Sequence, residues 1–412
     1  MPRIGIGGAW YRQNRTLFWI CVLIGVNQLG FGSIVPAVPL YAHSFGVPQS
    51  AIGLTIAVYG LARFLLNVPG GQLADLAGRR TTLAVGGLVS VAGNLLCALA
   101  TDYLPFLLAR FIAGAGAALV LTGGQIVLAD ISTPERRGRM MATYQGVFVF
   151  AVGAGPIPGG FLAEHFGLTA PFYAYAALAV GTALVGWFMV PETRGMQGGV
   201  AQSSAAATPA LSFAKQFRIL TANRGFLLVC MLSFGTFFAR TGGLFNIIPV
   251  LGQERLGLAA DQIGLALGII SIVALVLAYP AGMLTDRFGR KAVIVPASLF
   301  SGLAFILFLF APTYAWFLAA CLAWAISTGV SGAAPAAYAA DTAPAGMNAA
   351  AMSSYRMLAD LGYVAGPLIV GIVADVFGLS VALGSISAVV VTLALLFARF
   401  APETGPPRAA PA

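Results

Sequence analysis

Residues 70–80 read GGQLADLAGRR, and residues 281–291 read AGMLTDRFGRK. Gly71, Asp75, Gly78 and Arg79 of the first stretch return 211 positions later as Gly282, Asp286, Gly289 and Arg290. The same offset carries Tyr103 and Phe106 onto Tyr314 and Phe317, and Asp130, Met141 and Tyr144 onto Asp341, Met352 and Tyr355. It carries Gly155 and Pro156 onto Gly366 and Pro367, the FGL at 166–168 onto 377–379, and the PET at 191–193 onto 402–404. One register held over so many positions means that the chain is written twice.

What is written twice is a membrane segment. The 412 residues are 59% hydrophobic and only 8% charged, against about 25% charged in an average soluble protein. A helix crosses a bilayer with about 20 apolar residues. Twelve such runs are expected, at 17–40, 51–70, 82–101, 104–129, 141–163 and 171–190 in the first copy. Those of the second copy are at 225–251, 262–281, 292–311, 313–337, 351–374 and 380–400. Six spans per copy, an even number, give both copies one orientation and a symmetry axis along the membrane normal. The expected fold is an all-α integral membrane protein of twelve transmembrane helices in two pseudo-symmetric six-helix bundles. Its domains are 1–193, a linker at 194–222 whose Gly/Ala/Ser-rich centre reads as flexible, and 223–412. FAKQFRILTANR at the linker's end reads as a short interfacial helix.

The basic residues orient the chain. If the N-terminus is cytoplasmic, Arg255 alone among the 22 Lys and Arg falls in an external loop. Arg63, Arg110, Arg240 and Arg356 fall inside spans, and all the others are cytoplasmic. By the positive-inside rule both termini are cytoplasmic. The net charge of +9 is then a topology signal with lipid headgroups as its partner, and no nucleic acid is expected. Cys21, Cys97, Cys230 and Cys321 all lie within spans with no metal-type spacing. Neither a metal nor a cofactor is expected.

The duplicated loop resembles the signature G-x-x-x-D-x-x-G-R-[RK] of the major facilitator superfamily, and the resemblance covers roughly residues 15–405. It implies two bundles that rock around a central cavity, with Asp75 and Asp286 latching the halves on the cytoplasmic side. Leu76 stands where the family usually has a basic residue. Arg79, Arg80, Arg290 and Lys291 serve equally as topology anchors. In span five, GVFVFAVGAGPIPGG (146–160) is similar to the antiporter motif of drug:proton exporters, matched at Gly146, Gly155, Pro156, Gly159 and Gly160. The plain reading of the same residues, with the partial copy at Gly366, Pro367 and Gly371, is a kinked packing hinge. In span four, Leu107, Arg110, Gly114 and Gly116 resemble a pattern implicated in proton transfer, with Ala113 where the family has Gln. Asn27 in span one can bind substrate through hydrogen bonds or serve as a packing amide.

Copies that agree mark scaffold, and copies that disagree mark function. Under the offset Arg63 maps to Ala274, Arg110 to Cys321, Arg240 to Leu29, Arg356 to Gln145 and Asp360 to Val149. None of the buried charges is repeated. Intramembrane ionisable groups are functional candidates by default. Helices two and eleven meet in the superfamily, so Arg63, Arg356 and Asp360 are expected as a triad, with Asp360 the proton-carrying group; the plain alternative is a static neutralising pair. Arg240 and Arg110 leave a positive excess that an anionic or zwitterionic substrate would balance, and Arg binds carboxylates bidentately. Phe237 and Tyr338 are candidate aromatic walls of the cavity.

No Walker loop, GxSxG or HExxH motif is present, so an enzyme is not expected. The expected function is a monomeric, multi-pass carrier of the cytoplasmic membrane that exports a small organic molecule in exchange for protons. Proton-coupled uptake of an organic anion is the alternative, and a non-transporting receptor a third reading.

Overall fold

The computed structural model describes residues 6–132, 136–194, 213–332, 334–344 and 347–404. Among these, every element is helical. Twelve helices are long and apolar enough to cross a membrane. Spans one to six are Asn14–Ile34, Gln49–Ala77, Arg79–Ala98, Tyr103–Ile131, Arg139–Phe166 and Ala170–Phe188. Spans seven to twelve are Arg224–Leu256, Ala260–Thr285, Arg290–Leu309, Tyr314–Asp341, Ala350–Phe377 and Leu379–Phe400. Each of the twelve expected runs is found, mostly with longer ends, because the hydrogen-bonded helix continues past the apolar stretch that betrays it. Large apolar side chains stand outward, Val68, Val276 and Val376 being 70%, 68% and 65% exposed, as a surface solvated by hydrocarbon requires.

The chain divides into two compact units, Met1–Ala37 with Val58–Pro209, and Val38–Ala57 with Ala210–Ala412. Residues 195–212 of the expected linker lie outside the described residues. Beyond them Phe213–Ala222 is a short helix.

The signature loops show why the repeat was kept. In the first unit, Gly78 turns the chain at φ +98, a conformation open to glycine. A Cβ there would strike the Glu192 carboxylate. That carboxylate accepts from the backbone N–H of Arg79 at 3.1 Å, Arg80 at 3.2 Å and Arg194 at 2.9 Å. It thus caps the positive N-terminus of span three. The Arg79 side chain pairs with Asp130 at 3.0 Å and Asp75 at 3.1 Å and donates to the Ala74 carbonyl at 3.0 Å.

In the second unit the same atoms recur at the same offset. Gly289 turns at φ +92 against Glu403, and Glu403 accepts from the Lys291 N–H at 3.1 Å. Arg290 pairs with Asp341 at 3.2 Å and donates to the Thr285 carbonyl at 3.3 Å. Thr193 donates to Asp130 and Thr404 to Asp341, at 2.8 and 3.4 Å. The Asp286 side chain lies outside the described residues, so the counterpart of the Asp75 pair is not described.

The Gly-Pro segments also repeat their packing. Gly155 presses on Gly32 of span one and Gly159 on Ser33, while Gly362 and Gly366 press on Phe234 and Phe238 of span seven. Both helices continue through their proline: Gly155 keeps helical angles (φ −55, ψ −43) between Arg137–Ala154 and Pro156–Phe166, and Asn348–Phe377 runs through Pro367.

Candidate functional site

In the first unit a buried polar cluster joins spans one, two, four and six. Arg110 is 2% exposed, and its guanidinium carbon lies 4.5 Å from the centre of the Tyr59 ring. A desolvated contact of this kind contributes about 2 kcal/mol. Tyr59 stacks on Phe31 at 5.3 Å and hydrogen-bonds Tyr175. Tyr175 donates to the Asn27 carbonyl oxygen at 3.4 Å, and the Asn27 amide donates to Gln28 at 3.0 Å. Arg63 is partly exposed one turn beyond Tyr59, close enough for its charge to act on the phenol. Asn27 was a substrate candidate. It is wholly buried, with its carbonyl oxygen facing Tyr175 and its amide facing Gln28.

The second unit is built differently. Span seven widens at its middle, where Arg240–Ile247 runs as a π-helix. Such wide turns gather at functional sites because each leaves a residue displaced from regular packing. Gly242 and Gly243 hold this stretch flush against Gly366 and Phe305, with no room for a Cβ. The Thr241 hydroxyl lies 3.1 Å from the Tyr363 carbonyl, and Asn246 donates to the Pro367 carbonyl at 3.2 Å, so the turn is pinned to span eleven.

Arg240 opens the π-helix. It is partly exposed, with its guanidinium 5.4 Å from the Phe245 ring. Ser233, Thr236, Phe237 and Arg240 are three or four residues apart, so they share one face of the helix. Phe237 and Arg240, expected together at the substrate site, are thereby brought together. Tyr338 is not with them. It is fully buried, T-stacked on Phe397 at 5.0 Å, and donates to the Pro402 carbonyl at 2.7 Å. It belongs to the packed core and corrects the expectation of a cavity wall.

On span eleven Arg356 is exposed and Asp360 partly exposed, four residues apart and so on one face. Arg63 belongs to the first unit and this pair to the second.

Two carboxylates went unread in the sequence. Burial alone would raise the pKa of Glu192, but backbone donors at Arg79, Arg194 and Arg80 outweigh it and hold the carboxyl below its ordinary value. The repeated PET was the signal for this anchor. Asp375, at the end of span eleven, accepts from the N–H groups of Gln49 at 2.6 Å and Ser50 at 3.0 Å. It caps the start of span two within the second unit. Its counterpart under the offset, Glu164, keeps the acid, a signal that could have been seen. Beside it Gln49 donates to Asn246 at 3.3 Å, and His43 lies 2.9 Å from Glu254.

The sequence model of the Major Facilitator Superfamily matches residues 20–261 and again 241–412. An MFS-type transporter of Methanocaldococcus jannaschii is 22% identical over 369 residues, 90% of this chain and 94% of that protein. Multidrug resistance protein 2 of Bacillus subtilis is 25% identical over 68% of this chain and 70% of its own length. The quinolone resistance protein NorA of Staphylococcus aureus is 27% identical over 41% of this chain and 43% of its own. Among solved structures, the nucleoside transporter NupG superposes with a TM-score of 0.75 at 14% identity, over 93% of this chain and 98% of its own. A D-xylose–proton symporter gives 0.71 at 18%, over 94% and 99%. Both carry the fold.

Proposed function

Because the chain belongs to the major facilitator superfamily, and so is a multi-pass membrane transporter and not an enzyme, we propose that it exports a small organic anion or zwitterion in exchange for protons. It works by alternating access, as a monomer in the cytoplasmic membrane with both termini inside the cell. The observation that carries the substrate charge is Arg240. It is an unrepeated cation at the head of the π-helix, partly exposed, on one face with Phe237 and two hydroxyls. A guanidinium in that position favours a carboxylate or phosphate. The export direction is supported by the span-five motif and by relatives named for multidrug and quinolone resistance.

Asp360 is the proposed proton carrier, with Arg356 one turn away on the same face; Arg63 and Arg110 are proposed to share in coupling. Asp75 and Asp286 are proposed to act in the conformational change. Uptake of an organic anion with protons is the second reading, favoured by the arginines.

Inverted vesicles with the purified protein, an imposed pH gradient and a panel of anionic and cationic substrates decide between them. Gradient-driven accumulation in inverted vesicles supports export. Asp360→Asn is expected to leave counterflow intact and abolish the pH-gradient dependence. Gradient dependence like that of the unaltered protein in this variant would refute the assignment. Arg240→Ala with unchanged affinity for every anion would refute the substrate charge.

A further inference from the structure

Beside the Arg240 face the second unit holds a cavity of about 120 Å³, lined by spans seven, nine, ten and eleven. Among the described residues its lining carries hydroxyls and no charged side chain. Four of the hydroxyl protons are committed elsewhere. Thr236 donates to the Leu232 carbonyl at 3.0 Å, Ser301 to Ser298 at 2.9 Å, Ser327 to Trp324 at 2.7 Å and Thr328 to Trp324 at 2.9 Å. A hydroxyl has one proton and two lone pairs, so each of these offers the cavity acceptor capacity alone. Ser233 is 3% exposed, and its Oγ makes no hydrogen bond of ordinary length and angle, with the Tyr355 phenol beside it.

The cavity is only partly inherited: Ser301 and Tyr355 keep their hydroxyls at Ser90 and Tyr144, while other lining positions change. Under the offset Ser233 maps to Val22, Thr236 to Gly25, Ser298 to Gly87, Ser327 to Gly116 and Thr328 to Ala117. In the first unit Gly116 lies hard against Ser90 and Gly86, so the first copy closes spans three and four on a glycine where the second carries the Ser327 hydroxyl.

We propose that this cavity is a substrate subsite for an uncharged hydrogen-bond donor, a hydroxyl or amide N–H. The group belongs to the same molecule whose anionic end meets Arg240. An ammonium would be desolvated there with no carboxylate in the lining, which is costly. A carboxylate would be desolvated there with only neutral hydroxyls and no cation in the lining to meet it. Arg240 is one turn along span seven from Thr236 and Phe237, about 6 Å by the helical rise. A hydroxylated or amide-bearing organic acid of a few carbons spans that distance. This deepens the anion reading of Arg240 and rests on it.

The test titrates the purified full-length protein in nanodiscs with gluconate, hexanoate and 6-aminohexanoate, reading the shift in unfolding temperature. Gluconate is expected to bind about tenfold tighter than hexanoate, the worth of one or two well-made buried hydrogen bonds. Ser233→Ala removes one small hydroxyl beside the Tyr355 phenol, so the variant is expected to fold; it should shrink that preference severalfold and leave hexanoate unchanged. Ser233→Ala/Ser327→Ala should abolish the preference, with size-exclusion behaviour confirming the fold. Arg240→Gln should weaken both acids alike. Equal binding of gluconate and hexanoate, a preference that survives in the double variant, or tightest binding by 6-aminohexanoate overturns the subsite. If hexanoate binding still depends on Arg240 in those cases, the anion reading stands without it. Failure of either acid to bind, or hexanoate binding indifferent to Arg240→Gln, removes the anion reading and the subsite together.

Discussion

The signature loops and the helix cores answer the same duplication in opposite ways. At the loops, Arg79 and Arg290, Asp130 and Asp341, and Glu192 and Glu403 hold matching roles in both units. In the cores, the positions that carry Ser298 and Ser327 in the second unit are Gly87 and Gly116 in the first. A helix terminus has one solution: its free N–H groups need an acceptor wherever it stands. A packed interior has several, and once two copies exist one can be loosened while the other holds the fold. The difference therefore separates what the architecture demands from what it permits.

The comparison breaks most visibly at Gly116. Its Cβ would meet the backbone of Ser90 and Gly86, so Gly116→Val is expected to destabilise the protein by about 3 kcal/mol or more. Ser327→Val, at the equivalent position, faces a cavity and loses one hydrogen bond, for about 1 kcal/mol. Thermal unfolding of both variants in detergent measures the contrast, and equal losses would erase the distinction between a closed and an opened core.

A smaller effect sharpens the other side. Glu192→Ala and Glu403→Ala each remove a helix cap and should each cost about 1 kcal/mol. The first is expected to cost slightly more, because Glu192 serves three backbone donors. A loss confined to one unit would show that the loops are not equivalent anchors.

The smallest effect is in acid. Glu192 is held below its ordinary pKa, so its stabilising contribution is present above the unfolded value and fades as pH falls through the folded one. Unfolding temperature followed into the acid range should drop less steeply for Glu192→Gln than for the unaltered chain.

The repeat, the twelve spans and the family were all legible in the residues, because apolar length and loop spacing are one-dimensional signals. Arg240 was legible as an unrepeated charge. The π-helix that presents it was not, since a wide turn depends on Gly242 and Gly243 meeting Gly366 and Phe305, which lie far along the chain. Tyr338 misled for a related reason. A polar or aromatic residue in a span reads alike whether it faces a cavity or a neighbouring helix, and only packing tells Tyr338 against Phe397 from Phe237 beside Arg240. Ser233, Ser301 and Ser327 drew no notice, since isolated serines in a membrane helix commonly bond their own backbone. Their convergence on one cavity is a property of three helices at once.

The Glu192 carboxylate has a consequence for synthesis. Its partners at Arg79 and Arg80 precede it by 113 and 112 residues, nearly the length of four further spans. At about 5–20 residues per second, span three waits roughly 6–20 s on the ribosome before its cap exists. The second half repeats the delay with Glu403 and Lys291, 112 residues apart. Each half is thus buttoned from its far end, and a nascent chain stalled before its sixth span would present the insertion machinery with a third helix whose cap is not yet made.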